Sequence, residues 1–343
     1  MAAAAVVDAP RPAHTLTAQQ SPPQFRINEG HVAPSQLGWL RSTPADASIE
    51  EIRQRLQDDG YVWVKSVQPR EDVLAMREHF FSQFSDTGLL KPGTAPVDGI
   101  YNTADDVSLH RGVGGGNPRG DEELRRLTDA HTTAQYLDFV SHTALREMVR
   151  DIMSWDEEVM LHRTLLRHCV PGGSSTGIHY DRLFLRGGDA FFLTAWVPIG
   201  DVSSIGGGLH YLSNSVGLGQ ALEDDYDERS RDFSEQDKIS AFNRNMAATG
   251  YLADHPEEFM REHRRVAEVE GTAAKGFKWL IANFEAGDVV FHHPCTIHGS
   301  CGNDDPSGRI RLSTDLRFYD KKDFDAGRAD NRWMNYWRVD DKL

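Results

Sequence analysis

The spacing of apolar residues divides the chain into a largely helical first half and a strand-rich second half. Ile52 and Leu56 lie four apart within Ile49–Gln57, with Ser48 placed to cap the start, so this segment is predicted to be a helix ended by Asp59-Gly60. Tyr61-Val62-Trp63-Val64 has the aromatic and β-branched content of a strand. Helical spacing returns over Pro69–Phe84, where Val73, Met76, Phe80 and Phe84 form one stripe, and over Asp121–Trp155, which carries Leu124, Leu127, Tyr136, Val140 and Met148. Short β patterns then follow one another: Val159–Val170, Gly177–Asp181, Ala190–Pro198, Gly208–Leu212, Phe277–Asn283, Asp288–His292, Thr296–Ser300 and Arg309–Tyr319. Such a run, with turn signals between most members, predicts a sandwich or closed barrel. Residues 215–270 interrupt it. They are polar and helix-favouring from Leu222 through Met260 to Val269, and read as a helical insertion between the fourth and fifth strands, extending at most to 275. No internal repeat is visible.

The remaining segments complete a single-domain plan over 26–343. A helical part spans 48–158, the barrel 159–320, and an aromatic C-terminal segment 321–343. Residues 1–25 are rich in Ala, Pro and Gln and read as a disordered tail. Residues 85–120 are turn-rich, with Gly112 and Gly114-Gly115-Gly116. A phosphate loop needs a strand before it and a helix after it in fixed register, and neither frames this run, so a flexible loop or lid is expected.

Composition narrows the partners. Hydrophobic residues are 39% and charged residues 26% of the 343, as in an ordinary globular protein. No apolar run approaches the roughly 18 residues that span a bilayer. The 37 basic against 52 acidic residues give a formal charge of −15. That surface repels nucleic acid and anionic lipid at long range, so neither is an expected partner, whereas a local arginine cluster could still hold an anionic small molecule. Cys169, Cys295 and Cys301 are too few and odd in number for a disulfide framework. A reducing compartment follows, and the N-terminus lacks the basic start of a signal peptide, so the default location is cytoplasmic. Homodimerisation is left open.

Gly177-Ile178-His179-Tyr180-Asp181 sets an imidazole and a carboxylate two apart, and alternate residues of a strand share a face. A lone pair of this kind is common at surfaces. Downstream, Gly287-Asp288-Val289-Val290-Phe291 enters a strand, followed by His292, His293 and then Thr296-Ile297-His298-Gly299-Ser300, with Arg309 after ten intervening residues. Two histidines and one carboxylate on one face of an octahedron form the ferrous oxygenase triad, with positions open for cosubstrate and O₂. A guanidinium supplies the fork that grips a dicarboxylate.

The constellation resembles the phytanoyl-CoA dioxygenase family of Fe(II)/2-oxoglutarate enzymes over roughly residues 50–320. The resemblance includes Gly60-Tyr61-Val62, Trp196-Val197-Pro198-Ile199, Gly208-Leu209 leading to Asn214-Ser215, and above all His298-Gly299-Ser300, Asn303 and Arg309. It implies a mainly β fold with flanking helices, built on a double-stranded β-helix (jelly-roll, cupin-like) core. It places Fe(II) on His179, Asp181 and His298, and the distal carboxylate of 2-oxoglutarate on Arg309 with Ser300. O₂ would be consumed with release of succinate and CO₂ and oxidation, most simply hydroxylation, of a small organic molecule such as a natural-product intermediate. Asp181 argues against a halogenase, which leaves that position empty for chloride. Where the family often has Pro-Gly-Ser-His after the fourth strand, this chain has Leu212-Ser213-Asn214-Ser215, and with the long insertion this argues against inheriting an acyl-CoA substrate.

Other residues have two readings each. His292 and His293 rival His298 as ligands, but precede Pro294 and lack an arginine at the family spacing. His162 and Thr164, alternate on the first strand, face either the cosubstrate or the core. Trp196 packs against 2-oxoglutarate or is a plain core residue. Arg182 and Arg186 touch substrate or lie on the surface, and Trp333, Tyr336 and Trp337 touch substrate or cap the barrel. Two rival functions follow: a catalytically inactive jelly-roll binding protein of the same family, and a zinc hydrolase, which has no use for Arg309 and Ser300.

Overall fold

The Ser48 side chain accepts a hydrogen bond from the Glu51 amide and so opens the first helix, α1 (Ile49–Asp59), which ends where Gly60 turns left-handed at φ 74°. A side chain at Gly60 would also collide with Val216 Cγ2, 2.4 Å from an added Cβ. The computed structural model describes residues 25–27, 30–110, 120–240, 251–253, 255–261 and 277–341. The N-terminal tail up to residue 24 and the glycine run at 112–116 lie outside the described residues.

After α2 (Arg70–Ser82), the helical pattern Asp121–Trp155 resolves into three helices, α3 (Gly120–Ala130), α4 (Ala134–Val140) and α5 (Thr143–Met153). The breaks fall where Thr133 and His142 turn their side chains back onto the amides of Tyr136 and Ala144 and restart the helix. The strands in chain order are β1 (Phe25–Ile27), β2 (Gly30–Val32), β3 (Leu37–Trp39), β4 (Ser42–Thr43), β5 (Tyr61–Val64), β6 (Glu158–Met160), β7 (Leu165–Cys169), β8 (Phe192–Pro198), β9 (Leu209–Leu212), β10 (Trp279–Ile281), β11 (Val289–His292), β12 (His298–Ser300) and β13 (Arg311–Asp320).

Two sheets form the core. The larger runs β4-β5-β11-β8-β13-β6, with β7 also paired to β13, and the smaller runs β12-β9-β10-β3. The first half is therefore not only helical. β5 pairs antiparallel with β11, and β3 pairs in parallel with β10, so N-terminal strands complete both sheets. The expected strand Val159–Val170 is two strands parted at 161–164. The expected strand Gly177–Asp181 is a pair of isolated bridges at Ile178 and His179 followed by a helical turn over Asp181–Leu183.

Side-chain alternation sorts the layers. Trp63, Trp196, Leu209, Tyr211, Phe284 and Val290 fill the space between the sheets. On the outer face of the large sheet, Leu193, Ala195, Leu312 and Leu316 pack against Phe80 and Phe81 of α2, Tyr136 of α4 and Val149 of α5. Each such buried side chain contributes about 1.5–3 kcal/mol of apolar burial. On the outer face of the small sheet, Leu212 and Trp279 pack against Leu218 and Leu222 of α6 (Val216–Arg229). The described parts of the expected insertion are α6, α7 (Glu235–Ile239) and short stretches at 251–261, of which Ala253 bridges to Ile178. Among the described residues no helix is long and apolar enough to cross a membrane.

Candidate metal centre

His298 lies on β12 at one edge of the small sheet, and His179 on the segment bridged to that edge. Their backbones form one antiparallel bridge, His179 N to His298 O and His298 N to His179 O, both 2.9 Å. That pairing sets the two imidazoles with centroids 4.3 Å apart. Each ring is oriented by its own strand: Nδ1 of His179 donates to Gly177 O and Nδ1 of His298 to Thr296 O, both 2.8 Å. The donated protons fix the tautomer, so both Nε2 atoms are free to accept. Asp181 starts the turn after the bridge, and this turn, not a continuing strand, brings its Oδ1 to 3.8 Å from His179 Nε2 and 3.9 Å from His298 Nε2.

One ligand atom from each of these three buried residues lies within 4.8 Å of the others. Two neutral nitrogens and one carboxylate oxygen on one side of a point are the donor set that suits Fe(II). Burial lowers the imidazole pKa of His179 and, more strongly, of His298. Burial resists ionisation of Asp181, but Arg317, His292 and His298 outweigh it and hold the carboxyl well below the usual range. All three groups are thus in the state that binds a cation.

The carboxylate is gripped from several sides. Thr194 donates to Oδ2 at 2.6 Å, His292 Nε2 reaches the same oxygen at 3.1 Å, and Arg317 Nη2 reaches Oδ1 at 3.0 Å. His292 therefore stands beside the triad and not in it. His293 points elsewhere, with Nδ1 accepting from the Cys295 amide and its ring against Phe191.

The structure separates Arg309 from Arg311. The Arg309 backbone bridges to Ile100, and its charge acts on Arg77 and Asp201, on the helical side of the large sheet. Arg311 is buried on the inner face of β13, opposite Cys169, with Nε on Gly207 O at 2.8 Å and Nη1 on Ser313 Oγ at 2.9 Å. It joins a polar chain. Arg311 reaches the Arg167 carbonyl, Arg167 Nη1 donates to Thr176 Oγ1 at 3.2 Å, and the Thr176 amide donates to Ser300 Oγ at 2.7 Å. Ser300 and Arg311 also meet the same segment, pairing with Leu209 and bonding Gly207. Nε of Arg167 and both Nε and Nη1 of Arg317 are buried with no partner among the described residues.

Trp196 faces between the sheets with its ring 4.7 Å from Phe284. His162 and Thr164 do not approach the triad. His162 stacks on Tyr336 at 4.8 Å, and the Thr164 hydroxyl accepts from Tyr136 at 2.6 Å in the helical layer. Trp337 donates to the Thr164 carbonyl, so the C-terminal aromatics cover this end of the large sheet. Arg182 is spent on the carbonyls of Gly188 and Ala190, and Arg186 on Glu223 at 3.0 Å and Asp227 at 2.7 Å, where it ties α6 down. Arg167, Thr194, Arg317 and Tyr211 were not singled out from the sequence. Arg317 could have been, since it shares the parity of Arg311 and Ser313 on one strand.

Two facing sheets holding two imidazoles and one carboxylate about a common point define a non-haem iron oxygenase. The chain belongs to the phytanoyl-CoA dioxygenase (PhyH) family, whose profile matches residues 56–311, and it is a 2-oxoglutarate-dependent iron enzyme of that family. Among solved structures it is similar to the non-haem α-ketoglutarate-dependent epimerase SnoN from nogalamycin biosynthesis, at 17% identity over 79% of this chain and 83% of that one, with a TM-score of 0.46. It is also similar to AviO1 from Streptomyces viridochromogenes Tue57, at 16% over 80% and 96%, TM-score 0.44. A third is EvdO2 from Micromonospora carbonacea var. aurantiaca, at 14% over 86% and 100%, TM-score 0.45. No curated protein sequence matches it significantly.

Proposed function

We propose that the chain hydroxylates a small organic molecule at the cost of O₂ and 2-oxoglutarate, with His179, Asp181 and His298 as the iron ligands. The convergence of these three buried ligand atoms inside a family-matched barrel carries the reading. Bound Fe(II) supplies the redox chemistry that couples oxidative decarboxylation of the 2-oxo acid to oxidation of the substrate.

The protein's part is to bind, orient and exclude water. Arg311 takes the role the family spacing gave to Arg309, holding the distal carboxylate with Ser313 beside it and Ser300 across the Thr176–Arg167 link. The unpartnered N–H groups of Arg167 and Arg317 add positive potential where a dianion must enter. Trp196, Phe284 and Trp63 wall the space between the sheets and keep it dry. On the His179 side, Phe184 and Tyr251 rings lie 5.5 and 5.9 Å from the imidazole and form an apolar flank for a substrate. Tyr251 belongs to the insertion, which supports a part for that segment in substrate selection.

The test is O₂-dependent conversion of 2-oxoglutarate to succinate with and without Fe(II), followed by a screen of candidate small molecules for coupled turnover. Succinate formation that ignores Fe(II) rejects the reading. Metal-dependent hydrolysis without O₂ would point to the zinc alternative.

A further inference from the structure

We infer that His292, oriented by Tyr211, is a positioning residue that decides which oxygen of Asp181 faces the metal. The inference rests on the reading of Asp181 as an iron ligand. Oδ1 is the oxygen that lies 3.8 and 3.9 Å from the two ligand nitrogens, while Oδ2 is turned away into the wall between β8 and β11.

Two donors hold Oδ2 there. One is the Thr194 hydroxyl at 2.6 Å, the other His292 Nε2 at 3.1 Å, and the two residues face each other across the β8–β11 ladder. An ionised carboxylate only accepts, so Nε2 carries the proton of this bond. Nδ1 on the other side of the ring is hydrogen-bonded to the Tyr211 hydroxyl, 3.2 Å away, which fixes the ring's orientation. Tyr211 is rigid in turn, its ring stacked at 5.5 Å on Tyr61 and at 5.6 Å on His298, with interplanar angles of 26° and 27°. Tyr211, His292 and Thr194 are each fully buried.

The chain Tyr211–His292–Asp181 thus links the carboxylate ligand to the aromatic wall that also seats His298. A carboxylate free to rotate can bind a cation through both oxygens. That would occupy a coordination position needed by the bidentate 2-oxo acid or by O₂. With Oδ2 committed to Thr194 and His292, Asp181 offers Oδ1, the oxygen that Arg317 Nη2 also steadies at 3.0 Å. A residue that merely filled space at the end of β11 could be apolar, as its neighbours Val290 and Phe291 are.

The experiment is a Co(II) titration of the full chain, followed by the visible ligand-field bands, for wild type, His292→Phe, His292→Gln, Tyr211→Phe and the His292→Phe/Tyr211→Phe double variant. His292→Phe is expected to weaken Co(II) binding by roughly ten- to a hundredfold and to shift the bands as the second oxygen joins. His292→Gln, whose side-chain amide can donate to Oδ2, should recover most of the affinity and the wild-type bands. Tyr211→Phe keeps the ring stack and loses only the hydroxyl, so a smaller loss of the same spectral kind is expected. The double variant should be no weaker than His292→Phe, since both changes act through one link. A folded His292→Phe with wild-type affinity and bands overturns the inference, as does a His292→Gln no better than Phe, or additive losses in the double variant. Should His292→Phe fail to fold, Tyr211→Phe decides, and unchanged affinity and bands in it overturn the inference. A wild type that takes up Co(II) while the variants match it sinks the positioning role alone. A wild type that takes up none sinks the metal centre as well.

Discussion

Asp181 takes part in more polar contacts than either imidazole, and its loss should be felt accordingly. Asp181→Ala is expected to abolish Fe(II)-dependent succinate formation while the protein still melts cooperatively. Turnover at the wild-type rate would show that the carboxylate is no ligand. The two arginines give a sharper contrast. Arg311 lies on the inner face of β13 within the polar chain that reaches Ser300, and Arg309 lies by Arg77 and Asp201. A charge-assisted hydrogen bond contributes about 1.5–3 kcal/mol. Arg311→Ala should therefore raise the apparent dissociation constant of 2-oxoglutarate by roughly ten- to a hundredfold, with Arg309→Ala close to wild type. Equilibrium binding of 2-oxoglutarate to the two variants measures this, and the reverse pattern would restore Arg309. The convergence of the two histidines and the aspartate was legible because a metal-binding set restricts residue types and their order. The family spacing points to Arg309 and the side-chain geometry to Arg311, because counting from His298 assumes a turn of fixed length. The turn after β12 is instead a knot of its own, where Asn303 Nδ2 donates to the carbonyls of both Cys169 and Arg309 and Asp305 accepts from Ser307. Strand parity was no help, since 309 and 311 share it.

α6 is pressed against the chain that leads into β12. A Cβ on Gly219 would stand 2.0 Å from the Cys295 carbonyl oxygen, a backbone atom that cannot swing aside. Gly219→Val is therefore expected to destabilise by about 1–3 kcal/mol through forced overpacking. Because His298 follows Cys295 by three residues, the variant should also bind Co(II) more weakly. Urea unfolding and Co(II) titration check the pair of effects, and a variant as stable as wild type would mean that helix and loop part easily. Elements with strong local signals were readable: α1 with its serine cap, the stripe of α2, and β8, β9, β11 and β12. Two kinds of detail were not. Helix breaks at Thr133 and His142 depend on which side chain captures an amide, a choice the apolar spacing does not record. The segment carrying His179 and Asp181 is a bridge and a turn because its pairing partners, His298 and Ala253, are remote in sequence. The recruitment of β3 and β5 into the two sheets is likewise a long-range pairing.

The molecule buries several neutral histidines, and acid should act through them. His131 sits in the helical layer with Nδ1 at 2.8 Å from Leu127 O and Nε2 accepting from the Leu166 amide at 3.0 Å. Burial pushes its pKa down to about 4, below the roughly 6.5 of an unfolded histidine. The unfolded chain then takes up the proton first. The stability this group contributes is complete above about pH 6.5 and is lost as pH falls towards 4, amounting to about 2 kcal/mol between pH 7 and pH 5. His131→Gln should be less stable at pH 7 but show a flatter decline, measurable by urea unfolding across that range, and parallel curves would reject the assignment. At this scale the sequence announced a strand-rich sandwich or barrel core, while the joining of N-terminal strands to that core, set by pairings hundreds of residues apart, was hidden. A shorter-range pairing at the metal centre has a practical consequence. The mutual amide bonds of His179 and His298 make the imidazoles part of the sheet's own weave, a seat standing ready before any cation arrives. Loading is then a docking event and not a folding one, so a chelator should strip the ion and a different divalent metal replace it, with the strands undisturbed throughout.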